Sequence, residues 1–401
     1  KRLTDKYNSI TIPDYLASHF KSQSKTIRII SASALCLFVT IYVSAQIDAT
    51  GKAFESFLEW NYFIGAIVGF FIVAVYITSG GFVAVAWSDL FQGLVMLLGL
   101  LLLPFVALNT TAGEGGEGFI QGIRKIDPVL LSLWGEGGLT LKNLLTVVGL
   151  IAIGIGFMGS PQIFVRFISI KDEENINQGR WIAIAYTLLA TVSAVFIGMI
   201  GRYIFTETGQ DPEKVLGSGA DRVLPMLVEE TMPLIIVSVY IAAVLSAIMS
   251  TIDSLLVVAS SAVTRDFYQQ LLHPEQKEEK LGSLSRKVTI TLALIALAIA
   301  MSVAILSPSR TVFWFVIFGW SGIAATFCPV MILSLFWKRY NSNGALASMI
   351  SGFACVPIFK FLIPNIPKIG AYFSELGELF PSFMISLLVR ITISLLSSKR
   401  K

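Results

Sequence analysis

Leu245 to Ser261 reads LSAIMSTIDSLLVVASS. The stretch sits inside an apolar run from about Leu234 to Val263, long enough to cross a bilayer as a helix. Its middle nevertheless holds Ser250, Thr251, Asp253 and Ser254. Ala247, Ser250, Thr251 and Ser254 are spaced i, i+3, i+4 and i+7, so they share one helical face, and Asp253 lies close beside it. Hydroxyls and a carboxylate gathered at bilayer depth can replace the water shell of a hard cation, and an ionisable residue at that depth points to function.

Composition around this stretch has the same character. Hydrophobic residues make up 55% of 401 residues, charged residues only 14%, and the mean hydropathy is +0.75. These values exclude an ordinary soluble domain and indicate an all-α polytopic membrane protein with the lipid bilayer as its surroundings. The net charge of +4 is spread over short loops. It forms no continuous basic face, so nucleic acid is not an expected partner. Cys36, Cys328 and Cys355 fall in apolar segments at no disulfide or metal spacing and read as buried thiols. His19 and His273 stand in polar stretches and read as surface residues. With no histidine in an apolar segment and no paired catalytic groups there, an intramembrane enzyme is not expected.

Apolar segments recur at about 26–48, 60–79, 86–108, 142–168, 180–205, 233–265, 284–306, 312–337, 343–363 and 376–397. Each is near the ~20 residues a membrane helix needs. An even count puts both termini on one side, and the basic loops agree. Arg166, Lys171 and Arg180, then Arg265, Lys277, Lys280, Arg286 and Lys287, then Lys338 and Arg339, and finally the tail at 398–401 all alternate onto the side of the basic N-terminal segment. The positive-inside rule makes that side the cytoplasm, for a single transmembrane domain over 1–397 in a cell inner (plasma) membrane. The loop Gly113 to Gly118, GEGGEG, is expected outside. Gly65 with Gly69 and Gly198 with Gly201 suit close helix packing. The run GLIAIGIGFMGSPQIF, Gly149 to Phe164, carries Pro161 after Gly159 and Ser160 and should break a membrane helix. A break frees backbone carbonyls and amides to bind solute beside a watery cavity; plain kinking is the alternative.

At YITSGGFVAVAWSDLFQ (Tyr76 to Gln92) and FWKRYNSNGALASMISG (Phe336 to Gly352) the chain resembles the sodium:solute symporter family. ITIPDYLASHF, RIISASALCLFVTIY and MSTIDSLLVVASSAVTRDFYQ add to a resemblance that covers essentially the whole chain and is nearest to proline-transporting bacterial members. It implies a leucine-transporter-type inverted five-helix repeat with extra C-terminal helices. Laid on that pattern, the chain begins after the first three membrane helices, so the N-terminal helices are missing; 142–337 forms the second inverted repeat, and the first keeps three core helices.

The resemblance also implies site residues. Ala247, Ser250 and Thr251 match the family's sodium site, where a carbonyl and two hydroxyls meet carbonyls of a broken first core helix. The alternative for Ser250 and Thr251 is bonding back to their own helix. Asp89 matches an acidic residue tied to sodium coupling, and with Ser250, Asp253 and Ser254 it suggests a possible second cation site. The alternative there is a structural pair with a neighbouring Arg or Lys. Tyr42, Ile153, Phe157 and Pro161 match substrate-side positions. Where proline-transporting members carry Trp and Tyr, this chain has Ile153 and Phe157, which leaves an apolar wall. Gln46 and Asp48 either recognise a polar solute group or lie among headgroups. Arg166 is expected to anchor the cytoplasmic end.

The resulting expectation is sodium-coupled symport into the cell of a small organic solute, an amino acid such as proline or a small carboxylate, with sodium as the only metal. A solute-sensing membrane module without net transport is the alternative, and a channel is a third possibility. The protein is expected to be a monomer or a weak homo-oligomer.

Overall fold

The computed structural model describes residues 2–21, 24–111, 118–276, 281–337 and 341–398, without the side chains of residues 76, 78–84, 111 and 398. Most of the 113–118 loop, Lys277, Lys280, Lys338, Arg339, the tail from 399, and much of the Tyr76–Gln92 motif therefore lie outside the described residues. The described residues contain helices and no strand: α1 (Arg2–Tyr7), α2 (Ile12–His19), α3 (Ser24–Leu58), α4 (Tyr62–Thr111), α5 (Phe119–Ile126), α6 (Leu141–Ile155), α7 (Pro161–Ser169) and α8 (Glu173–Phe205) in the first half. The second half holds α9 (Pro212–Leu216), α10 (Val223–Thr231), α11 (Leu234–Ser261), α12 (Leu281–Leu306), α13 (Val312–Phe336), α14 (Ser342–Pro357), α15 (Gly370–Leu376) and α16 (Leu379–Ser398). Among the described residues nine helices are long and apolar enough to cross a membrane, and the segment expected at 60–79 appears as the shorter apolar helix Tyr62–Val75.

Helical geometry continues through α4 from Tyr62 to Thr111, yet its two arms run in opposite directions. In the first arm, Gly65 and Gly69 lie against Phe54 and Thr50, so this arm is antiparallel to α3. The Cys36 thiol reaches the Ala259 carbonyl, while Val43 and Ile47 share a cavity with Ile252 and Leu256, so α3 is antiparallel to α11. In the second arm, Val85 borders Val258, Asp89 meets Ser250, and Gly99 accepts from Tyr240, an order antiparallel to α11. The two arms thus occupy the segments expected at 60–79 and 86–108, the first as the shorter apolar helix among the described residues.

Burial sorts the helices. Within the apolar windows, 78% of α13 and 56% of α3 is buried inside the protein, against 11% of α8 and of Val85–Thr110, so α13 and α3 form the inner bundle. Small residues permit that contact: a Cβ added at Gly322 would fall 1.9 Å from Phe38, and one at Gly319 would fall 2.9 Å from the Tyr42 backbone. The expected packing role holds at Gly65, Gly69 and Gly201, but Gly198 faces open space.

Charged clamps hold α3 near both ends. At one end Arg28 pairs with Asp14 (2.9 Å) and Asp266 (2.6 Å), and Thr11 donates to Asp266 (2.9 Å), which ties α2 and the π-helical turn Ala262–Leu272 to α3. At the other end Asp48 accepts from Tyr62 (2.6 Å) and from Arg310 Nε (2.8 Å), and Lys52 reaches Asp221 and the Arg310 carbonyl, both at 2.7 Å. Arg28 and Asp48 stand 20 positions apart, about 30 Å along a helix. Asp48 is 0% exposed, which corrects its reading as a solute handle or headgroup-facing residue: it is locked by Arg310 and Tyr62. His19 is likewise not isolated, since its ring packs against Tyr7, Tyr15 and Phe20. All three cysteines are free, with Cys328 buried and Cys36 and Cys355 partly so.

Candidate functional site

The break expected after Gly149 is present. Helix α6 ends at Ile155, a short 3-10 turn covers Gly156–Met158, and α7 starts at Pro161. Proline suits the first position of a helix because its missing N–H has no partner there anyway. Two carbonyls by the break are not left to solute. The Trp320 indole donates to the Ile153 carbonyl (3.1 Å), and the Cys328 thiol reaches the Gly156 carbonyl (3.2 Å), both from α13. Glycine permits this approach, since a Cβ at Gly156 would fall 2.4 Å from the Trp320 indole nitrogen and one at Gly159 would fall 2.7 Å from the Cys328 backbone.

Beside the break lies a cavity of about 290 Å³, bordered by Tyr42, Ile153, Phe157, Gln162, Arg166, Ser250, Thr251 and Trp320 among others. Trp320 forms its aromatic wall, with ring centroids 4.7 Å from Phe157 and 6.3 Å from Tyr42. The structure thus brings Tyr42, Ile153 and Phe157 together with Ser250 and Thr251. Pro161 is buried at the head of α7 and does not border the cavity. Trp320 was missed in the sequence, although a tryptophan in mid-span, away from the interfacial belts that such rings prefer, was the available signal. Replacing Trp320 with Phe keeps the wall and deletes the donor to Ile153. The Ile153 carbonyl then keeps only the Gly156 amide, and a loss of about 0.5–1.5 kcal/mol is expected from the deleted hydrogen bond, seen as a lowered melting temperature of the purified protein.

The polar side of the cavity is built on α11. Thr251 donates to the Ala247 carbonyl (3.1 Å), the bond back to its own helix foreseen as the alternative. Ser250 donates to Asp89 Oδ1 (2.5 Å). A hydroxyl that gives its hydrogen away keeps its oxygen lone pairs, so both remain possible cation ligands. Asp89 Oδ2 accepts from Arg166 and from Ser254 (3.3 Å), and Arg166 Nη2 also donates to Ser254 (2.7 Å). Asp89, Arg166, Ser254 and Gln162 border a second cavity of about 30 Å³ next to the first. Among the described residues Asp253 makes no hydrogen bond to Asp89 or Arg166. It borders neither cavity, its Oδ1 accepts from the Ser254 amide (2.6 Å), and its Oδ2 is buried without a partner among the described residues. One position before Ser254, it is turned about 100° away around the helix. Arg166, expected as an end anchor, is instead the cationic partner of Asp89.

A bundle of apolar helices around a broken helix, with hydroxyls and a carboxylate at the edge of a mixed cavity, is the architecture of a secondary solute carrier. Residues 1–352 match the profile described as "Sodium:solute symporter family". The high-affinity proline transporter PutP of Bacillus subtilis (strain 168) is 34% identical over 394 residues, spanning 97% of this chain and 77% of that protein. The osmoregulated proline transporter OpuE of the same strain is 31% identical over 396 residues, 98% of this chain and 75% of that one. The sodium/proline symporter of Escherichia coli (strain K12) is 30% identical over 389 residues, 97% and 73% of the two chains. A solved structure of a Na+-coupled sialic acid symporter, substrate-bound and outward-open, superposes with a TM-score of 0.70 at 17% identity, covering 98% of this chain and 79% of that one. That likeness is one of fold. The chain belongs to the sodium:solute symporter family, which makes it a multi-pass carrier that uses sodium as its coupling ion, and not an enzyme.

Proposed function

We propose that this chain imports a small organic solute, an amino acid such as proline or a small carboxylate, by sodium-coupled symport across the plasma membrane. One observation carries the reading: Ser250 and Thr251 of α11 border the same cavity as Tyr42, Phe157 and Trp320, so ion ligands and solute wall share one space. Shared space couples the two sites energetically, and each sodium entering down a membrane potential gains about 2.3 kcal/mol per 100 mV. In this reading Ala247, Ser250 and Thr251 hold the first sodium. Asp89 and Ser254 serve a second cation, while Asp253 is set aside. The apolar wall of Ile153, Phe157 and Trp320 takes the body of the solute, and the names of the three bacterial relatives favour proline. Residues 142–337 are the second inverted repeat, the C-terminus is cytoplasmic, and the carrier works as a monomer or weak homo-oligomer.

The test is uptake of labelled amino acids and small carboxylates into proteoliposomes under an imposed sodium gradient, beside a Ser250→Ala/Thr251→Ala variant. One solute should accumulate only with sodium, and the variant should lose about tenfold or more of that uptake, since each hydroxyl contact contributes about 1 kcal/mol. Solute binding that depends on sodium but gives no accumulation would replace carriage with sensing.

A further inference from the structure

Arg166 borders both cavities. Its Nη2 is spent on Asp89 and Ser254, its Nη1 on the Gln162 carbonyl of its own helix (3.1 Å), and its side chain is 44% exposed. Nearby, Gln162 Oε1 also borders both cavities and is buried with no partner among the described residues. Asp89 thus has a guanidinium seated where a metal cation would sit, beside an acceptor oxygen that is still unused.

We infer that Arg166 is an exchangeable occupant of the Asp89 cation position: sodium displaces it, and the displaced guanidinium takes the carboxylate of the solute in the larger cavity. This rests on the symport reading above and adds the group that links ion to solute. Charge balance supplies the reason. Asp89 with Arg166 is neutral. Sodium alone would leave one uncompensated positive charge, and a solute carboxylate alone would leave one negative charge. Both together give each charge an opposite partner, sodium on Asp89 and the solute carboxylate on Arg166. An unpaired charge is disfavoured where protein replaces water, so the two ligands bind more readily together than either does alone. Linkage makes the effect reciprocal: a solute that holds Arg166 away from Asp89 must tighten sodium, and sodium must tighten the solute by the same factor. The move needs no backbone shift, because a long, flexible side chain that already borders both cavities only changes rotamers. Guanidinium suits the task, since its several N–H donors match a carboxylate as well as Asp89.

Sodium binding without any solute reads this directly, measured with radioactive sodium on the purified whole protein. Arg166→Gln removes the competitor and is expected to bind sodium at least about tenfold more tightly than the parent, whereas Arg166→Lys, which keeps a cation, should stay within about threefold of it. A merely bracing Arg166 would give the opposite, weaker binding and a lowered melting temperature. Unchanged or weaker sodium binding by a normally melting Arg166→Gln protein overturns the inference. A second arm needs no variant: L-proline should tighten sodium binding to the parent, while L-prolinamide, which has no carboxylate, should leave it unchanged. Equal tightening by both, or by neither, also overturns it. Because the first arm uses neither uptake nor solute, it separates failure of this inference from failure of the symport reading.

Discussion

Replacing Arg310 with alanine is expected to destabilise the protein by about 3–5 kcal/mol, the usual cost of stripping one partner from a buried ion pair. Asp48 is fully buried, its Oδ2 has no partner among the described residues, and its Oδ1 depends on Arg310 and Tyr62. After truncation only the Tyr62 hydroxyl would remain. The guanidinium also lies over the Tyr62 ring, 5.0 Å from its centroid, so packing is lost along with charge. The measurement is thermal unfolding of the purified protein in nanodiscs, where a fall of many degrees is expected. Adding Asp48→Asn to Arg310→Ala should recover most of it, because the buried charge is then gone. An Arg310→Ala protein that melts like the parent would show that the clamp does not bear on stability.

Asp89→Asn is expected to act in the opposite way, on ion use and hardly on stability. Its side chain is 15% exposed and that of Arg166 is 44% exposed, so this pair is wet where the Asp48 pair is dry. Exposed pairs contribute about 0–1 kcal/mol, and the variant should melt within a few degrees of the parent. The carboxylate charge still acts on an entering cation. At about 4 Å and an effective dielectric of about 20 it is worth up to about 4 kcal/mol, and water in the cavity removes part of that. A rise of about ten- to a hundredfold in the sodium concentration for half-maximal uptake follows, at about 1.4 kcal/mol per decade. Asp89→Glu should keep much of the response. An unaltered sodium curve in Asp89→Asn would remove Asp89 from ion binding.

The membrane segments were legible because a bilayer demands long apolar runs, and the break at Gly156–Ser160 was legible because glycine and proline mark it in the chain itself. Ser250, Thr251, Asp89 and Ser254 stood out as polar groups where none should be without cause, and the fold gathers them. Partners were not legible. Arg166 meets Asp89 across 77 positions and Arg310 meets Asp48 across 262, and no local pattern announces a pairing made only by helix packing. Spacing put Asp253 beside the face of Ser250 and Ser254, and what it could not show is that the carboxylate accepts from the Ser254 amide. Trp320 and Cys328 went unread because their task, satisfying carbonyls on another helix, is visible only once α13 lies against the break.

The spacing of the clamps on α3 makes the protein a gauge of the bilayer around it. Arg28 and Asp48 are about 30 Å apart, close to the thickness of a typical hydrocarbon core. Helices usually meet a thicker or thinner membrane by changing tilt. Here the tilt of α3 is pinned by ion pairs at both ends, to α2 and the turn after α11 on one side and to the loop before α13 on the other. Adjustment therefore falls to the lipid, which must stretch or thin against a rigid central post, and membranes of different thickness are not equivalent hosts for this carrier.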